Sequence, residues 1–94
     1  MKLIPDLHYD IRIQGNVQGV SFRIGAMAQA KRLKLRGFVK NLDSGEVYLE
    51  LEGEENKIAE MIEWCRTGPP RSEVISLEAV EGKLKHFHTF ELIR

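Results

Sequence analysis

Apolar and polar residues alternate in two segments of the chain, and this alternation predicts β-strands. Every second residue is apolar in the segment 8–14, and the same pattern recurs in EVYLELE, residues 46–52. A period of two places neighbouring side chains on opposite faces of a strand. In the later strand one face would be aliphatic, while Tyr48 and the glutamates would lie on the other. We therefore expect a sheet with one face open to water and with helices on the opposite face.

Two other segments have apolar residues at the spacing of an amphipathic helix. The first extends from Phe22 to Leu35, and Gly37 is expected to stop it. The second follows Gly53 and ends before the Gly68-Pro69-Pro70 sequence. Basic residues are concentrated at the end of the first helix, where they would oppose the helix dipole. They are not interleaved with aromatic residues, so we interpret them as a helix terminus and not as a nucleic-acid site.

Three further strand signals complete the predicted fold. Phe38–Asn41 would turn at residues 42–45 into the EVYLELE strand, and Glu73–Val80 and Phe87–Ile93 would follow the second helix. The order β-α-β-β-α-β, with room for a short fifth strand, predicts a ferredoxin-like α/β sandwich. We expect an antiparallel four- to five-stranded sheet with two helices on one face. A length of 94 residues favours one domain over residues 1–94.

Composition excludes several classes of function. Fourteen Lys and Arg residues balance fourteen Asp and Glu residues, so the overall charge predicts no nucleic-acid partner. No apolar run has the length of a membrane span, and the first ten residues lack a signal-peptide core. We therefore expect a cytoplasmic monomer without a membrane partner. Cys65 is the only cysteine and follows the helical apolar pattern, which predicts a buried side chain without a catalytic role.

The segment after the first strand has features of an anion-binding loop. Gly15 and Gly19 allow the chain to curl, and the helix that follows begins with backbone N–H groups that have no partner within the helix. Arg23 would lie in the first helical turn, where a positive charge opposes the dipole, but its guanidinium could bind two phosphoryl oxygens. A split β-α-β crossover would bring Asn41 to the same end of the sheet. The glycine pattern is equally compatible with a plain connector.

The same residues also carry a family resemblance. GNVQGVSFR, from Gly15 to Arg23, resembles the first signature of the acylphosphatase family, G-x-V-Q-G-V-x-F-R, at every specified position. GFVKNLDSGEVYLELEG, from Gly37 to Gly53, is similar to the second signature, and the resemblance extends over essentially the whole chain. One departure is Lys34, where many members have glycine. Because Lys34 lies at the end of the helix, it does not affect the catalytic assignment.

The resemblance implies a hydrolase that cleaves the carboxyl-phosphate bond of small acyl phosphates without a cofactor or metal. It implies that Arg23 binds the phosphoryl group and that Asn41 positions the attacking water. The phosphate-binding residues it implies are Val17, Gln18, Gly19, Val20, Ser21, Phe22 and Arg23, which would act mainly through backbone N–H groups. We expect inorganic phosphate and sulfate to compete for this cradle.

Other polar residues have simpler interpretations. His8, His86 and His88 are not expected to bind a metal, because no carboxylate or cysteine stands with them at ligand spacing, although the last two would share a strand face. Asp43 is expected to be a turn residue. Gln18 could shape the loop or contact the substrate. The alternative function is a non-catalytic ferredoxin-like module that binds or senses an anion, which would have no need for a water-positioning Asn41.

Overall fold

Two helices cover one face of a five-stranded sheet in the computed structural model, which describes residues 4–94. The elements in chain order are β1 (Asp6–Asn16), α1 (Phe22–Arg32), β2 (Arg36–Asn41), β3 (Val47–Glu54), α2 (Glu55–Thr67), β4 (Glu73–Gly82) and β5 (Phe90–Ile93). The strand order is β4-β1-β3-β2-β5. Strand β3 lies between β1 and β2 and is antiparallel to both, so β1, α1 and β2 form the expected split crossover. The ferredoxin-like prediction is confirmed.

The sheet is mixed, so the prediction of an antiparallel sheet was wrong for β5. Strand β5 pairs in parallel with β2, whereas the other neighbouring strands are antiparallel. The reason is the path of residues 83–89, which carry the chain from the end of β4 at one edge of the sheet to the other edge. The last strand therefore starts beside the first residues of β2 and runs in the same direction. It begins at Phe90 and not at the predicted Phe87.

The core lies between the sheet and the two helices. Its fully buried members include Ile11, Ile13, Val39, Val47, Leu49 and Leu51 from the strands and Ala26, Ala30, Ile58, Met61 and Cys65 from the helices. Burial raises the pKa of the Cys65 thiol to about 12, which keeps it protonated and agrees with the predicted apolar role. Within residues 4–94, neither helix is long and apolar enough to cross a membrane.

The face of the sheet opposite the helices is not fully open to water, so that prediction was wrong at one end. Residues 83–89 pass across this face, and Glu52 beneath them is completely buried. The carboxylate of Glu52 accepts hydrogen bonds from the backbone N–H groups of Lys85 and Phe87 and from the imidazole of His8. Burial alone would raise the pKa of Glu52, but these hydrogen bonds outweigh it and hold the pKa below its usual value.

Helix α1 ends earlier than predicted, through a cap that uses Lys34. The N–H of Leu35 donates to the carbonyl of Ala30 (2.8 Å), and the N–H of Lys34 donates to that of Lys31 (3.1 Å). This pair of bonds is a Schellman motif, which requires a left-handed residue at the position of Lys34. Lys34 has φ +60°, a conformation that glycine adopts without strain. Gly37 lies within β2, so it does not stop the helix.

We predict that Lys34→Gly stabilises the protein by about 0.5–1 kcal/mol. The substitution removes the cost of a left-handed non-glycine residue, and the greater freedom of glycine in the unfolded chain offsets part of the gain. Urea denaturation would show a higher midpoint with an unchanged slope. The matched control is Lys31→Gly, in the right-handed last turn of the same helix, which should lower stability by about 1 kcal/mol. A lower midpoint for Lys34→Gly would contradict this explanation of the cap.

Candidate active site

A pocket of about 260 Å³ opens where the N-terminus of α1 meets the ends of β2 and β5. Its lining residues are Val17, Gly19, Ser21, Phe22, Arg23, Ile24, Asn41, Leu92 and Arg94. The loop 17–21 follows β1, and the parallel direction of β1 and β2 brings Asn41 beside it. The structure therefore brings together Arg23 and Asn41, the two residues that the sequence placed at one end of the sheet.

Two residues with positive φ shape the loop that leads into α1. Gly19 has φ +74° and Ser21 has φ +65°. Ser21 is the N-cap residue of α1, yet its side chain makes no capping hydrogen bond. A left-handed serine costs about 1–2 kcal/mol and is retained only where its surroundings enforce it. Curled backbone of this kind turns successive N–H groups toward one side, which creates a concavity suited to an anion.

The N-terminus of α1 adds to this positive character. The first backbone bond of the helix runs from the N–H of Gly25 to the carbonyl of Ser21 (3.0 Å). The N–H groups of Phe22, Arg23 and Ile24 precede that bond, so the helix itself gives them no acceptor. The first turn contains no acidic side chain that would neutralise the dipole. This terminus is therefore suited to binding an oxyanion.

The side chain of Arg23 is held in place by the last strand of the sheet. Its Nη1 donates a hydrogen bond to the carbonyl oxygen of Ile93 in β5 (2.9 Å). The bond uses one of the five N–H donors of the guanidinium. Because β5 runs parallel to β2, the C-terminal end of β5 reaches the mouth of the pocket and can position the Arg23 guanidinium there.

Asn41 also lines the pocket and carries a buried acceptor. It is the last residue of β2, and its backbone pairs with Val47 in β3. The side-chain oxygen Oδ1 is buried, and within residues 4–94 no donor forms a hydrogen bond with it. Such atoms are uncommon in folded proteins, because burying an acceptor without a partner costs free energy. Because Asn41 also lines the pocket, a donor bound beside its side chain could supply the missing hydrogen bond after a small shift of the amide.

Gln18 and Val20 do not line the pocket. The amide nitrogen of Gln18 donates to the carbonyls of Leu42 (2.8 Å) and Glu46 (2.9 Å), on either side of the β2–β3 turn. Of the two roles that the sequence left open for Gln18, this geometry matches loop shaping. Its contacts fasten the loop after β1 to the turn that follows Asn41. The side chain of Val20 is partly buried and packs against the core.

Three lining residues were missed by the sequence analysis: Ile24, Leu92 and Arg94. Ile24 directly follows the recognised signature, so its position in the first turn of α1 was the available signal. Leu92 and Arg94 reach the pocket only because β5 runs parallel to β2, which the chain order alone does not specify. Asp43 lies in the β2–β3 turn, as predicted, and is exposed.

The histidines are arranged differently from the prediction. His86 and His88 belong to the irregular segment 83–89 and do not share a strand face. His8 is buried beside three carboxylates, those of Asp10, Glu50 and Glu52. The prediction that no carboxylate lies beside the histidines was therefore wrong for His8, since pairing of β1 with β3 brings distant residues together.

Comparison with known proteins gives consistent matches over most of the chain. The family model described as Acylphosphatase matches residues 9–92. A protein named Acylphosphatase from Acaryochloris marina is 42% identical over 82 residues, which are 87% of this chain and 88% of the relative. Another from Paraburkholderia xenovorans is 38% identical over 95% of this chain and 98% of its own.

Solved structures agree with these sequence matches. The acylphosphatase from Bacillus subtilis superimposes with a TM-score of 0.91 at 37% identity, over 94% of this chain and 99% of its own. An acylphosphatase from Coxiella burnetii gives a TM-score of 0.93 at 32% identity, over 99% of this chain and 100% of its own. The similarity thus includes β5 and both helices as well as the loop.

Proposed function

Because the chain belongs to the acylphosphatase family and hydrolyses acyl phosphates to a carboxylate and inorganic phosphate, we propose that Arg23 and Asn41 carry this reaction. Arg23 and the backbone of residues 17–23 would bind the phosphoryl group, and Asn41 would position the attacking water. The observation that carries the proposal is that Asn41, whose buried Oδ1 has no hydrogen-bond partner among residues 4–94, lines the same pocket as Arg23.

The proposed binding step uses the loop and the positive N-terminus of α1. The phosphoryl oxygens would lie against the N–H groups of residues 19–23, while the guanidinium of Arg23 binds them from the side fastened to β5. Planar guanidinium donors match the spacing of two phosphoryl oxygens, which a single ammonium cannot do. Two features support this step: the backbone of the loop is curled, and the first turn of α1 contains no acidic residue.

The proposed chemical step is the attack of water on phosphorus. Asn41 Oδ1 would accept a hydrogen bond from the water and direct its lone pair toward the phosphorus. The new bond joins the water oxygen to phosphorus, the bond from phosphorus to the acyl oxygen breaks, and the carboxylate leaves with the electron pair. A phosphoryl oxygen would take the water proton, because an amide cannot act as a base. Since a carboxylate leaves readily, positioning and charge stabilisation are sufficient.

The non-catalytic anion-binding alternative is not favoured. The matched relatives are acylphosphatases over nearly their whole length, and the polar acceptor of Asn41 is present where an anion-binding module would have no use for it. Every residue of the proposed site comes from one chain, so a monomer would be sufficient for activity.

Inorganic phosphate and sulfate should inhibit hydrolysis competitively, because the proposed cradle recognises a tetrahedral oxyanion. EDTA should leave turnover unchanged, since the reaction is proposed to use no metal. Initial rates of benzoyl phosphate hydrolysis, measured over a series of anion concentrations, would give the inhibition pattern. Chloride at equal ionic strength is the control for screening of charge. If EDTA inhibited turnover and a divalent ion restored it, the metal-free mechanism would be contradicted.

A further inference from the structure

A second cluster of polar side chains lies on the opposite face of the sheet, at the other end of β1. It consists of His8, Asp10, Glu50 and Glu52, partly covered by the segment 83–89. His8 pairs with Glu52 across the strands, while Ile13 pairs with Val47, the ladder partner of Asn41. Along β1, His8 is therefore about 16 Å from Ile13, the residue level with Asn41, at about 3.3 Å per residue. The reaction described above makes no use of this cluster.

The imidazole of His8 is fixed in one orientation by buried neighbours. Its Nδ1 lies 2.8 Å from Oε2 of Glu52, and Glu52 is itself held by the N–H groups of Lys85 and Phe87. The ring of Phe87 stacks on that of His8 with centroids 6.0 Å apart. A carboxylate that accepts from one ring nitrogen keeps the proton there and leaves the other nitrogen free to act as a ligand.

The other nitrogen, Nε2, points at two more carboxylates. It lies 2.8 Å from Oδ1 of Asp10 and 3.4 Å from Oε1 of Glu50. The hydroxyl of Tyr48 donates to Oε2 of Glu50 (2.7 Å), which leaves Oε1 turned toward His8. Three potential ligand atoms thus converge, and all of them lie within 4.8 Å of one another.

The cluster carries more negative than positive charge. Asp10 and Glu50 stand directly opposite each other on neighbouring strands, an arrangement in which like charges repel. Lys85 Nζ donates to the same Oε1 of Glu50 (2.8 Å) and would have to release it to a metal ion, which its half-exposed side chain permits. The guanidinium groups of the neighbouring strands form ion pairs with other carboxylates: Arg12 pairs with Glu46, and Arg36 pairs with Asp6. A divalent cation between Asp10, Glu50 and the imidazole would balance this excess.

We propose that Nε2 of His8, Oδ1 of Asp10 and Oε1 of Glu50 form a binding site for a divalent transition-metal ion such as Zn²⁺. Glu52 is the positioning residue that orients His8. Ligand atoms of a tetrahedral zinc ion, with bonds of about 2.0–2.1 Å, are separated by about 3.3 Å. The 3.4 Å between His8 and Glu50 fits this value, and the Asp10 carboxylate must withdraw by about half an ångström.

The chemistry of the ligands and their exposure support this assignment. One imidazole and two carboxylates suit zinc and its neighbours in the first transition row better than Mg²⁺ or Ca²⁺, which prefer oxygen ligands alone. The side chain of Asp10 is 42% exposed, which gives an ion and a fourth ligand from solvent a path to the buried nitrogen. The metal would link β1 to β3 and, through Glu52, fasten the segment 83–89 to the sheet.

Binding of Zn²⁺ to the metal-free protein, followed by calorimetry, tests the site without reference to catalysis. We expect one ion per chain, an increase in Tm on adding ZnCl₂, and visible absorption bands of a four-coordinate site with Co²⁺. Asp10→Asn should abolish tight binding and the Tm increase while the protein stays folded, because Asp10 is at the surface. Glu52→Gln should weaken binding by about 10- to 100-fold through loss of His8 orientation.

The matched control is the double variant His86→Asn/His88→Asn, which removes two exposed histidines and keeps the cluster. It should bind Zn²⁺ like the parent. Absence of tight binding in the parent would overturn the proposal, as would binding that survives Asp10→Asn and disappears in the double variant. These results are independent of the turnover assays, so the zinc site and the catalytic assignment can fail separately.

Discussion

Replacing Arg23 with alanine is expected to reduce kcat/KM for acyl phosphates by about a hundredfold or more while the protein remains folded. The guanidinium lies in the first turn of α1 beside the pocket and is outside the apolar core. Its loss removes a fixed donor at the place where negative charge accumulates on the phosphoryl oxygens. Phosphate affinity should fall as well, because the same donor contacts the ground state.

Arg23→Lys should fail to restore the activity. A lysine keeps the charge, but its ammonium cannot contact the carbonyl of Ile93 and two phosphoryl oxygens in the same planar geometry. Turnover and far-UV circular dichroism would be measured on both variants. Arg32→Ala, at the exposed far end of the same helix, is the matched control and should keep activity near that of the parent. If Arg23→Ala kept activity within a few-fold of the parent, Arg23 would not be the phosphate ligand.

Asn41→Ala is expected to separate substrate binding from chemistry. Turnover should fall by orders of magnitude, because orientation of the nucleophile can account for several kcal/mol of the barrier. Affinity for inorganic phosphate should stay within a few-fold, since the loop, the N-terminus of α1 and Arg23 are unchanged. The buried Oδ1 has no donor among residues 4–94, so its removal breaks no hydrogen bond that supports the loop.

Calorimetric titration with phosphate, beside a steady-state assay, would measure the two quantities on the same preparation. Asn56→Ala, on the exposed surface of α2, is the control and should change neither. A parallel loss of affinity and turnover would make Asn41 a phosphate ligand or a support of the loop. Unchanged turnover would exclude the water-positioning role.

The sequence by itself determined the order of elements and the location of the proposed catalytic residues. Strict alternation in EVYLELE and helical spacing in the two amphipathic segments are local signals that burial of one face requires. They predicted β3, α1 and α2, although α1 ends three residues earlier than expected. The family signature from Gly15 to Arg23 identified the loop and Arg23. The position of Asn41 at the end of a strand placed it at the same end of the sheet. Gly19 could be assigned to a curled backbone because glycine adopts a positive φ without strain.

The tertiary structure decided what depends on contacts between distant segments. The parallel pairing of β5 with β2 follows from the crossing of residues 83–89, and no periodicity in the sequence encodes that path. Glu52 has the pattern of a solvent-facing strand residue, yet the segment 83–89 covers it. Backbone N–H groups more than thirty residues away donate hydrogen bonds to its carboxylate. His8 meets Glu50 and Glu52 only through pairing of β1 with β3. Side-chain alternation specifies which face a residue occupies, but what covers that face is set by the chain that packs against it.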